Sequence, residues 1–263
     1  MFYNAKGGTV CDMDYISFGK GKNILVMLPG LGDGLATVKG KEIFFAMAYK
    51  KFAENFKVYL FSRKNHLKNG YSTRDMAKDQ IEAMKMLGIS KADIVGVSQG
   101  GMIAQYIAID NPNVVRKLVL ALTLSKQNEI VQKTVTSWIE MAKNKNYKDL
   151  IRNTAEKSYS ETYLKKIRFL YPVLSRVGKP KSFNRFLIQA ASCIKHNAYQ
   201  ELEKIKCPTL VIGGREDKIV GVNASVELSE KIENSELFIY EGLGHAAYEE
   251  ARDFNTRILR FLQ

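Results

Sequence analysis

Short apolar runs alternate with helical patterns along most of the chain, and this alternation restricts the folds that the sequence can adopt. The apolar runs are Asn23–Leu28, Lys57–Phe61, Ala92–Val97, Arg116–Leu122, Cys207–Ile212 and Glu236–Tyr240. Helical spacing of apolar residues lies between or after them, at Val38–Glu54, Ser72–Leu87, Gly100–Ile109, Asn223–Ile232 and Ala247–Leu262. The pattern predicts a parallel sheet whose strands are buried on both faces, with helices on both sides. A weak alternation in Met1–Gly21 adds two short antiparallel strands.

One segment, residues 126–206, breaks the alternation. It contains no strand-like run, and its apolar residues follow helical spacing with Pro172 and Pro180 as breakers, so we expect about four helices there. The sequence therefore predicts an α/β fold in a single domain, residues 1–263. Its core, residues 1–125 and 207–263, holds a mostly parallel central sheet, and residues 126–206 form an inserted all-helical cap.

The net charge is strongly positive and unevenly distributed. The chain of 263 residues has 40 Lys and Arg against 27 Asp and Glu, a net charge of +13. The predicted cap alone has 17 basic and 7 acidic residues, a net +10. Such an excess is typical of proteins with an anionic small-molecule or surface partner, and also of a merely solvated helix exterior. Because no helix-turn-helix, zinc-finger or RNA-recognition signature accompanies it, we expect a small-molecule substrate and no nucleic acid.

The N-terminus and the cysteines bear on the compartment. Met1–Cys11 is polar, which argues against a signal peptide, and no apolar run reaches the ~18 residues that a membrane span needs. Cys11, Cys193 and Cys207 are far apart and odd in number, which is typical of a reducing compartment and gives no support for a zinc or dithiol motif. We expect a cytoplasmic protein without a membrane span, either a monomer or a homodimer.

The motif Gly96-Val97-Ser98-Gln99-Gly100 lies where a predicted strand passes into a helix. So sharp a turn forces a positive φ at the serine and brings the residues two before and two after it too close for side chains. The serine hydroxyl is then exposed at the carboxyl edge of the sheet, beside a helix N-terminus. This context predicts that Ser98 is a nucleophile; a plain glycine-rich turn is the alternative.

A serine nucleophile needs a base, and the base needs a carboxylate that orients it. Of the three histidines, His245 follows the last predicted strand in a glycine-flanked loop, whereas His66 and His196 have the context of surface or packing residues. Loops after the carboxyl ends of strands converge on one site, so we predict His245 as the base. Asp217 and Glu216 both qualify as the acid, and Asp217 is our choice; helix capping is the alternative role.

Acyl transfer also needs donors for a developing oxyanion. The N–H of Gln99, next after the serine, is the first predicted donor. The second is the N–H of Leu31, in the loop that follows the first central strand, where Gly30 allows a close backbone approach. A plain turn is the alternative for this loop.

Four segments resemble α/β-hydrolase fold proteins, in the broad group of capped esterase-like, C–C hydrolase-like and peptidase-like members. They are Leu28–Gly32, Asp93–Gln105, Cys207–Asp217 and Gly242–His245, in the family's order along the chain. The resemblance implies an α/β-hydrolase fold and a serine hydrolase that needs no metal or organic cofactor. Its substrate would be a small ester, thioester or related carbonyl compound, cleaved through an acyl-enzyme. Pro29-Gly30 replaces the usual His-Gly, a departure that keeps the backbone donor.

Two other functions remain open on the same residues. The triad would also serve a C–C bond hydrolase or an acyltransferase, and the scaffold would also suit a non-catalytic ligand-binding protein. We expect the cap to determine specificity. Its aromatic residues are expected either to line a pocket or to join cap and core: Trp138, Tyr163, Phe169, Tyr171, Phe183 and Phe186.

Overall fold

The computed structural model describes residues 3–174, 176 and 178–263. The strands within these residues are β1 (Lys6–Val10), β2 (Met13–Phe18), β3 (Asn23–Leu28), β4 (Phe56–Lys64), β5 (Ala92–Val97), β6 (Val115–Ala121), β7 (Thr209–Gly214) and β8 (Ser235–Tyr240). They form one sheet in the order β1-β2-β4-β3-β5-β6-β7-β8. β2 is antiparallel to β1 and β4, and every other neighbouring pair is parallel. The predicted mostly parallel sheet and its antiparallel start are confirmed.

Helices cover both faces of this sheet. They are α1 (Glu42–Ala48), α2 (Lys50–Ala53), α3 (Thr73–Met86), α4 (Gln99–Asp110), α5 (Glu129–Lys143), α6 (Tyr147–Ser158), α7 (Glu161–Ile167), α8 (Tyr171–Leu174), α9 (Asn184–Cys193), α10 (Val222–Lys231), α11 (Ala247–Glu250) and α12 (Phe254–Leu262). Leu25 and Val26, adjacent in β3, point to opposite faces. Val26 packs in one cluster with α3, α4 and α10, and Leu25 packs in a second with α1, α2 and α12.

Helices α5 to α9 all lie between β6 and β7. Among the described residues of 126–206, the only β-type pairing is an isolated bridge between Lys126 and Asn197. The bridge belongs to a paired region, residues 125–127 and 196–198, that we call the neck. An N–H group of each neck segment donates to a carbonyl of the other, at N···O distances of 3.2 and 2.7 Å. The chain therefore enters and leaves the helical segment at adjacent points.

An apolar cluster joins the helical segment to the rest of the protein. Trp138, Phe183 and Phe186 from the segment are buried in it together with Leu31 and Met102. By contrast, the side chain of Phe169 is 74% exposed, so the expectation that it lines a pocket or joins cap and core is wrong. The exact limits of the cap, 126 and 206, stay a prediction, since Leu202 and Ile205 pack in the cluster of α3 and α4.

Two predicted helices differ from those observed. The helix predicted at Val38–Glu54 begins at Glu42 and is interrupted at Tyr49. Ala46 and Phe52 face the core. Three apolar side chains of α1 are exposed: Ile43, Phe44 and Met47. The helix predicted at Ala247–Leu262 is divided into α11 and α12 by extended backbone at residue 251.

Candidate active site

The turn between β5 and α4 holds Ser98 at φ 54° and ψ −120°. A Cβ on Gly96 would lie 2.5 Å from the carbonyl oxygen of Gly100, and one on Gly100 would lie 2.0 Å from the carbonyl oxygen of Leu28. Both distances are far shorter than real contacts, so both positions require glycine. The positive φ of Ser98 and the crowding around it are those that the sequence motif predicts.

Ser98, His245 and Asp217 form a continuous hydrogen-bonded chain. Nε2 of His245 lies 3.0 Å from Oγ of Ser98, and Nδ1 lies 2.8 Å from Oδ2 of Asp217. The three residues follow the carboxyl ends of β5, β8 and β7, which the parallel register places at one edge of the sheet. The structure thus brings together the three side chains that the sequence singles out.

Asp217 is buried, and its second oxygen is also occupied. Oδ1 accepts hydrogen bonds from the backbone N–H groups of Ile219 (2.8 Å) and Val220 (2.9 Å). Burial by itself would raise the pKa of Asp217, but the neighbouring His245 and the two amides outweigh it, so the pKa lies below its ordinary value. Asp217 is therefore ionised at neutral pH and fixed in orientation.

The remaining candidates lie elsewhere. Glu216 is exposed, and only its backbone contacts the histidine loop, where its N–H donates to the carbonyl of Leu243. His66 is exposed and contacts Asp12. His196 is buried in the neck, away from the hydrogen-bonded chain.

The loop after β3 packs directly against the serine. A Cβ on Gly30 would lie 3.2 Å from Cβ of Ser98, so backbone atoms approach the serine closely here. Leu31 begins a 3-10 turn in this loop, and Gln99 begins α4. The first N–H groups of a helix have no partner inside it. Both predicted amide donors therefore belong to backbone that adjoins Ser98, and their role as an oxyanion hole stays a prediction.

A buried arginine supports this loop from behind. Arg63, near the end of β4, is 1% exposed, and its guanidinium donates to the carbonyl of Pro29. Its backbone N–H donates to Oδ2 of Asp33, at 3.0 Å. Burial lowers the pKa of Arg63 to about 10, with Asp33 opposing the shift, so the side chain keeps its charge at neutral pH.

Helix α9 is tied to the same loop and to the residue after the serine. Arg185 donates to the side chain of Asp33 at 2.5 Å and to its carbonyl, and to the carbonyl of Arg63 at 2.9 Å. The side-chain amide of Gln99 donates to the carbonyl of Gln189 at 2.9 Å. The helical segment therefore contacts the serine turn through specific buried hydrogen bonds as well as through apolar packing.

Sequence reasoning missed Arg63, Asp33, Arg185 and Gln189 as residues that shape the site. One signal for Arg63 was available, namely a charged residue two positions after an apolar strand run. The predicted strand ended at Phe61, whereas β4 continues to Lys64. Nothing in the local pattern pairs it with Arg185, because that contact spans 122 positions of sequence.

No group of three or more His, Cys, Asp or Glu within the described part of the chain is arranged to hold a metal ion. The three cysteines are unpaired. None of the described helices is both long enough and apolar enough to cross a membrane.

Comparison with known proteins places the chain in a family. The family model described as alpha/beta hydrolase fold matches residues 23–252. A putative carbamate hydrolase RutD from Rhizobium rhizogenes is 26% identical, over 91% of this chain and 92% of the relative. A 2-hydroxymuconate semialdehyde hydrolase from Pseudomonas putida is 31% identical, over 73% of this chain and 69% of the relative.

Solved structures share the fold. An enol-lactonase from Burkholderia xenovorans LB400 superposes with a TM-score of 0.82 at 17% identity, covering 98% of this chain and 99% of that one. The esterase EaEST from Exiguobacterium antarcticum superposes with a TM-score of 0.78 at 19% identity, covering 95% of each chain. Together with the family match and the hydrolase relatives, the observed sheet establishes that this chain belongs to the alpha/beta hydrolase fold family and is an enzyme with hydrolase activity.

Proposed function

We propose that the protein is a serine hydrolase that cleaves a small ester, thioester or related carbonyl compound through an acyl-enzyme. The observation that carries the proposal is the hydrogen-bonded chain from Ser98 Oγ through the His245 ring to Asp217. A nucleophile, a base within 3.0 Å and a buried carboxylate that orients the base are the parts this chemistry requires.

The proposed reaction has two steps. Oγ of Ser98 attacks the carbonyl carbon while Nε2 of His245 accepts its proton, and the tetrahedral intermediate then expels the leaving group, which takes that proton. Water, deprotonated by the same histidine, attacks the acyl-enzyme and releases the acid. Asp217 keeps the proton of the ring on Nδ1 and stabilises the imidazolium that forms in each step.

The oxyanion in this proposal is stabilised by the N–H groups of Leu31 and Gln99. Each preorganised donor of this kind contributes about 3 kcal/mol to transition-state stabilisation. The hydrogen bond from Arg63 to the carbonyl of Pro29 supports the idea, because it fixes the backbone two residues before Leu31. We also propose that the helical segment acts as the cap that determines which substrates enter.

A fluorophosphonate probe tests the nucleophile. We expect wild type and Ser90→Ala, an exposed serine chosen as the matched control, to be labelled equally, and Ser98→Ala to be unlabelled. Hydrolysis of p-nitrophenyl esters of graded chain length should fall by about 10⁴-fold or more in Ser98→Ala. Labelling that survives Ser98→Ala would assign the nucleophile elsewhere, and an unlabelled wild type would favour a ligand-binding role.

A second candidate is hydrolysis of a carbon–carbon bond on the same triad, favoured by the similarity to 2-hydroxymuconate semialdehyde hydrolase. In that reaction water adds to an aldehyde or ketone carbonyl, the adjacent C–C bond breaks to release that carbonyl as a carboxylic acid, and the carbon leaving group takes a proton. Incubation with 2-hydroxymuconate semialdehyde distinguishes C–C bond hydrolysis from ester hydrolysis. Turnover that Ser98→Ala abolishes, together with weak ester turnover, would favour C–C cleavage; efficient turnover of esters alone would favour the esterase.

A further inference from the structure

An exposed apolar face lies on the outer part of the helical segment. α7, the 3-10 turn Arg168–Leu170 and α8 follow one another without a break over residues 161–174. Phe169 is 74% exposed, Val173 is 58% exposed and Leu170 is 37% exposed. Large apolar side chains clustered in this way on a surface mark an interaction site more often than scattered ones do.

Two lysines share this face. Lys165, Lys166, Phe169, Leu170 and Val173 recur at spacings of three and four residues, which places side chains on one side of a helical segment. All five side chains are exposed, whereas Leu164 on the other side is buried. We call the five residues the cap-tip patch. It combines an aromatic ring, two aliphatic side chains and two ammonium groups that form no ion pair among the described residues.

The sequence that follows Glu161 is free of acidic residues as far as Gln200. From position 162 to 200 the chain has eight Lys and Arg and no Asp or Glu. Two of the arginines are already engaged, because Arg168 binds Glu156 and Glu161, and Arg185 binds Asp33. The lysines remain, including Lys179 and Lys181 just beyond the patch, both exposed. A partner for this face must therefore accept apolar side chains and carry negative charge around them.

An anionic lipid bilayer has that combination of properties. Interfacial helices insert Phe and Leu side chains at the acyl boundary, while Lys side chains extend to the headgroups. Each basic residue near an anionic membrane surface strengthens binding by about fivefold. We propose that the cap-tip patch docks the protein reversibly on the surface of anionic membranes, without spanning them.

The patch is connected to the loop of His245 through a short helical segment. The N–H of Ala246, next to His245, donates to the carbonyl of Ser158. Ser160 is the N-cap of α7, and its N–H and hydroxyl both donate to Glu250. Phe169 is nine residues further on, about 14 Å along a helix axis. Docking would therefore tie the loop that carries His245, through a short stretch of chain, to a surface where amphiphilic carbonyl compounds concentrate. The binding itself does not depend on the proposed hydrolysis.

Vesicle binding tests the docking directly. We would measure co-sedimentation and the emission of Phe169→Trp with vesicles of phosphatidylcholine alone and of phosphatidylcholine with 30% phosphatidylglycerol. The single native tryptophan, Trp138, is buried and donates to Asn153, so it gives a constant background. We expect binding and a blue shift of emission only with anionic vesicles, and loss of binding in high salt.

Variants of the patch and of a matched surface make the test specific. The double variant Lys165→Glu/Lys166→Glu and the single variant Phe169→Ser should each weaken binding about tenfold or more. Lys85, Met86 and Lys91 supply the control, since two exposed lysines and a 69% exposed methionine lie at the opposite, amino-terminal edge of the sheet. Lys85→Glu/Lys91→Glu and Met86→Ser should bind like wild type.

Three results would overturn the proposal. The first is no binding by wild type to anionic vesicles at low salt, and the second is equal weakening by patch and control variants. The third is a dimer, seen by analytical ultracentrifugation, that Phe169→Ser dissociates, because the face would then contact a second copy of the chain. Ser98→Ala should bind vesicles like wild type, which separates this test from that of the proposed function.

Discussion

Asp217 combines two properties that seldom occur together, namely near-complete burial and a lowered pKa. Its charge is retained because both carboxylate oxygens have hydrogen-bond partners: one oxygen contacts the His245 ring, and the other accepts from two backbone amides. Hydrogen bonds to the charged form outweigh the desolvation that burial imposes. The same arrangement makes the residue's contribution to stability dependent on pH.

Replacing Asp217 with Asn should reveal that dependence. Because the folded pKa lies below the unfolded value of about 3.9, the carboxylate stabilises the fold fully above that value and loses this effect as pH falls through the folded pKa. We expect the difference in free energy of unfolding between wild type and Asp217→Asn to be largest above pH 4 and to shrink below it. Urea denaturation across this range measures it; a difference that is constant with pH would contradict the prediction.

His196 should respond to pH in a higher range. Its ring lies 2.9 Å from the hydroxyl of Thr73 and is buried, and burial lowers its pKa to about 3. Below about pH 6.5 the unfolded chain binds a proton at this residue, whereas the folded protein does not. The contribution of the neutral ring to the free energy of unfolding is therefore complete above pH 6.5 and is lost progressively as pH falls towards 3.

Between pH 6.5 and 5 the loss should reach about 2 kcal/mol. His196→Gln should flatten this slope, although it will also lower the stability at pH 8. His66→Gln, at an exposed histidine, is the matched control and should leave the slope unchanged. If wild type and His196→Gln lose stability in parallel, the neutral buried histidine is not the cause.

Sequence predicted the positions of individual residues well where one turn fixes the backbone. The crowding that requires Gly96 and Gly100 also fixes Ser98, and the order of strands leaves His245 and Asp217 at the same edge of the sheet. The role of Arg63 could not be predicted from sequence, because it depends on groups that only folding brings close, namely the carbonyl of Pro29 and the side chain of Asp33.

Among the elements, α9 connects the helical segment to the turn at Ser98. A Cβ on Gly34 would lie 2.8 Å from Cα of Phe186, so the helix packs directly on the loop after β3. Arg185 is 13% exposed and Asp33 is 1% exposed, which makes their ion pair largely buried. The position of that loop, and with it the N–H of Leu31, therefore depends on α9.

Arg185→Met should lower the free energy of unfolding by about 3 kcal/mol, because it leaves Asp33 buried without its cation. It should lower kcat more than it changes KM if the loop stabilises the transition state. The matched control is Arg168→Met, at an arginine that is 40% exposed and pairs with Glu156 and Glu161. This variant should change stability by less than about 1 kcal/mol and leave kcat unaltered. A fall in stability with unchanged kcat in Arg185→Met would assign α9 a purely structural role.

Strands were predicted more accurately than helices, for a physical reason. A strand buried on both faces needs only an unbroken apolar run, which is visible locally, so β3 and β5 have their predicted bounds. For a helix that packs on one face of the sheet, a prediction must also say which side of the helix faces the core. In α1 both sides carry apolar residues, and Phe45 stacks on Tyr49 whereas Phe44 is exposed.

For the whole molecule, charge distribution is the property with the most direct experimental consequence. The helical segment carries a net +10 and residues 207–263 a net −4, so the field around the protein is asymmetric. A basic surface near a substrate entrance attracts anions over a distance set by the Debye length, about 30 Å at 0.01 M salt and 8 Å at 0.15 M.

If this field steers substrates, kcat/KM for an anionic p-nitrophenyl ester should fall steeply as salt rises from 0.01 to about 0.3 M, while that for a neutral ester of the same length stays constant. The ratio of the two values removes general salt effects on the enzyme. An equal response of both esters would leave the basic surface without a role in substrate capture.

The neck has a consequence for how such a protein can be rebuilt. Residues 125–127 and 196–198 pair with each other, so the strands before and after the helical segment would stay connected if the segment were exchanged for another with its ends equally close. The chain connections would allow such an exchange, but the contacts between the segment and the rest of the protein restrict it. A transplanted segment that lacks a counterpart of Arg185 would leave Asp33 without its ion-pair partner, and one whose backbone runs differently at position 189 would leave the side-chain amide of Gln99 without its acceptor. A functional chimera therefore has to carry the arginine and place a backbone carbonyl where that of Gln189 lies.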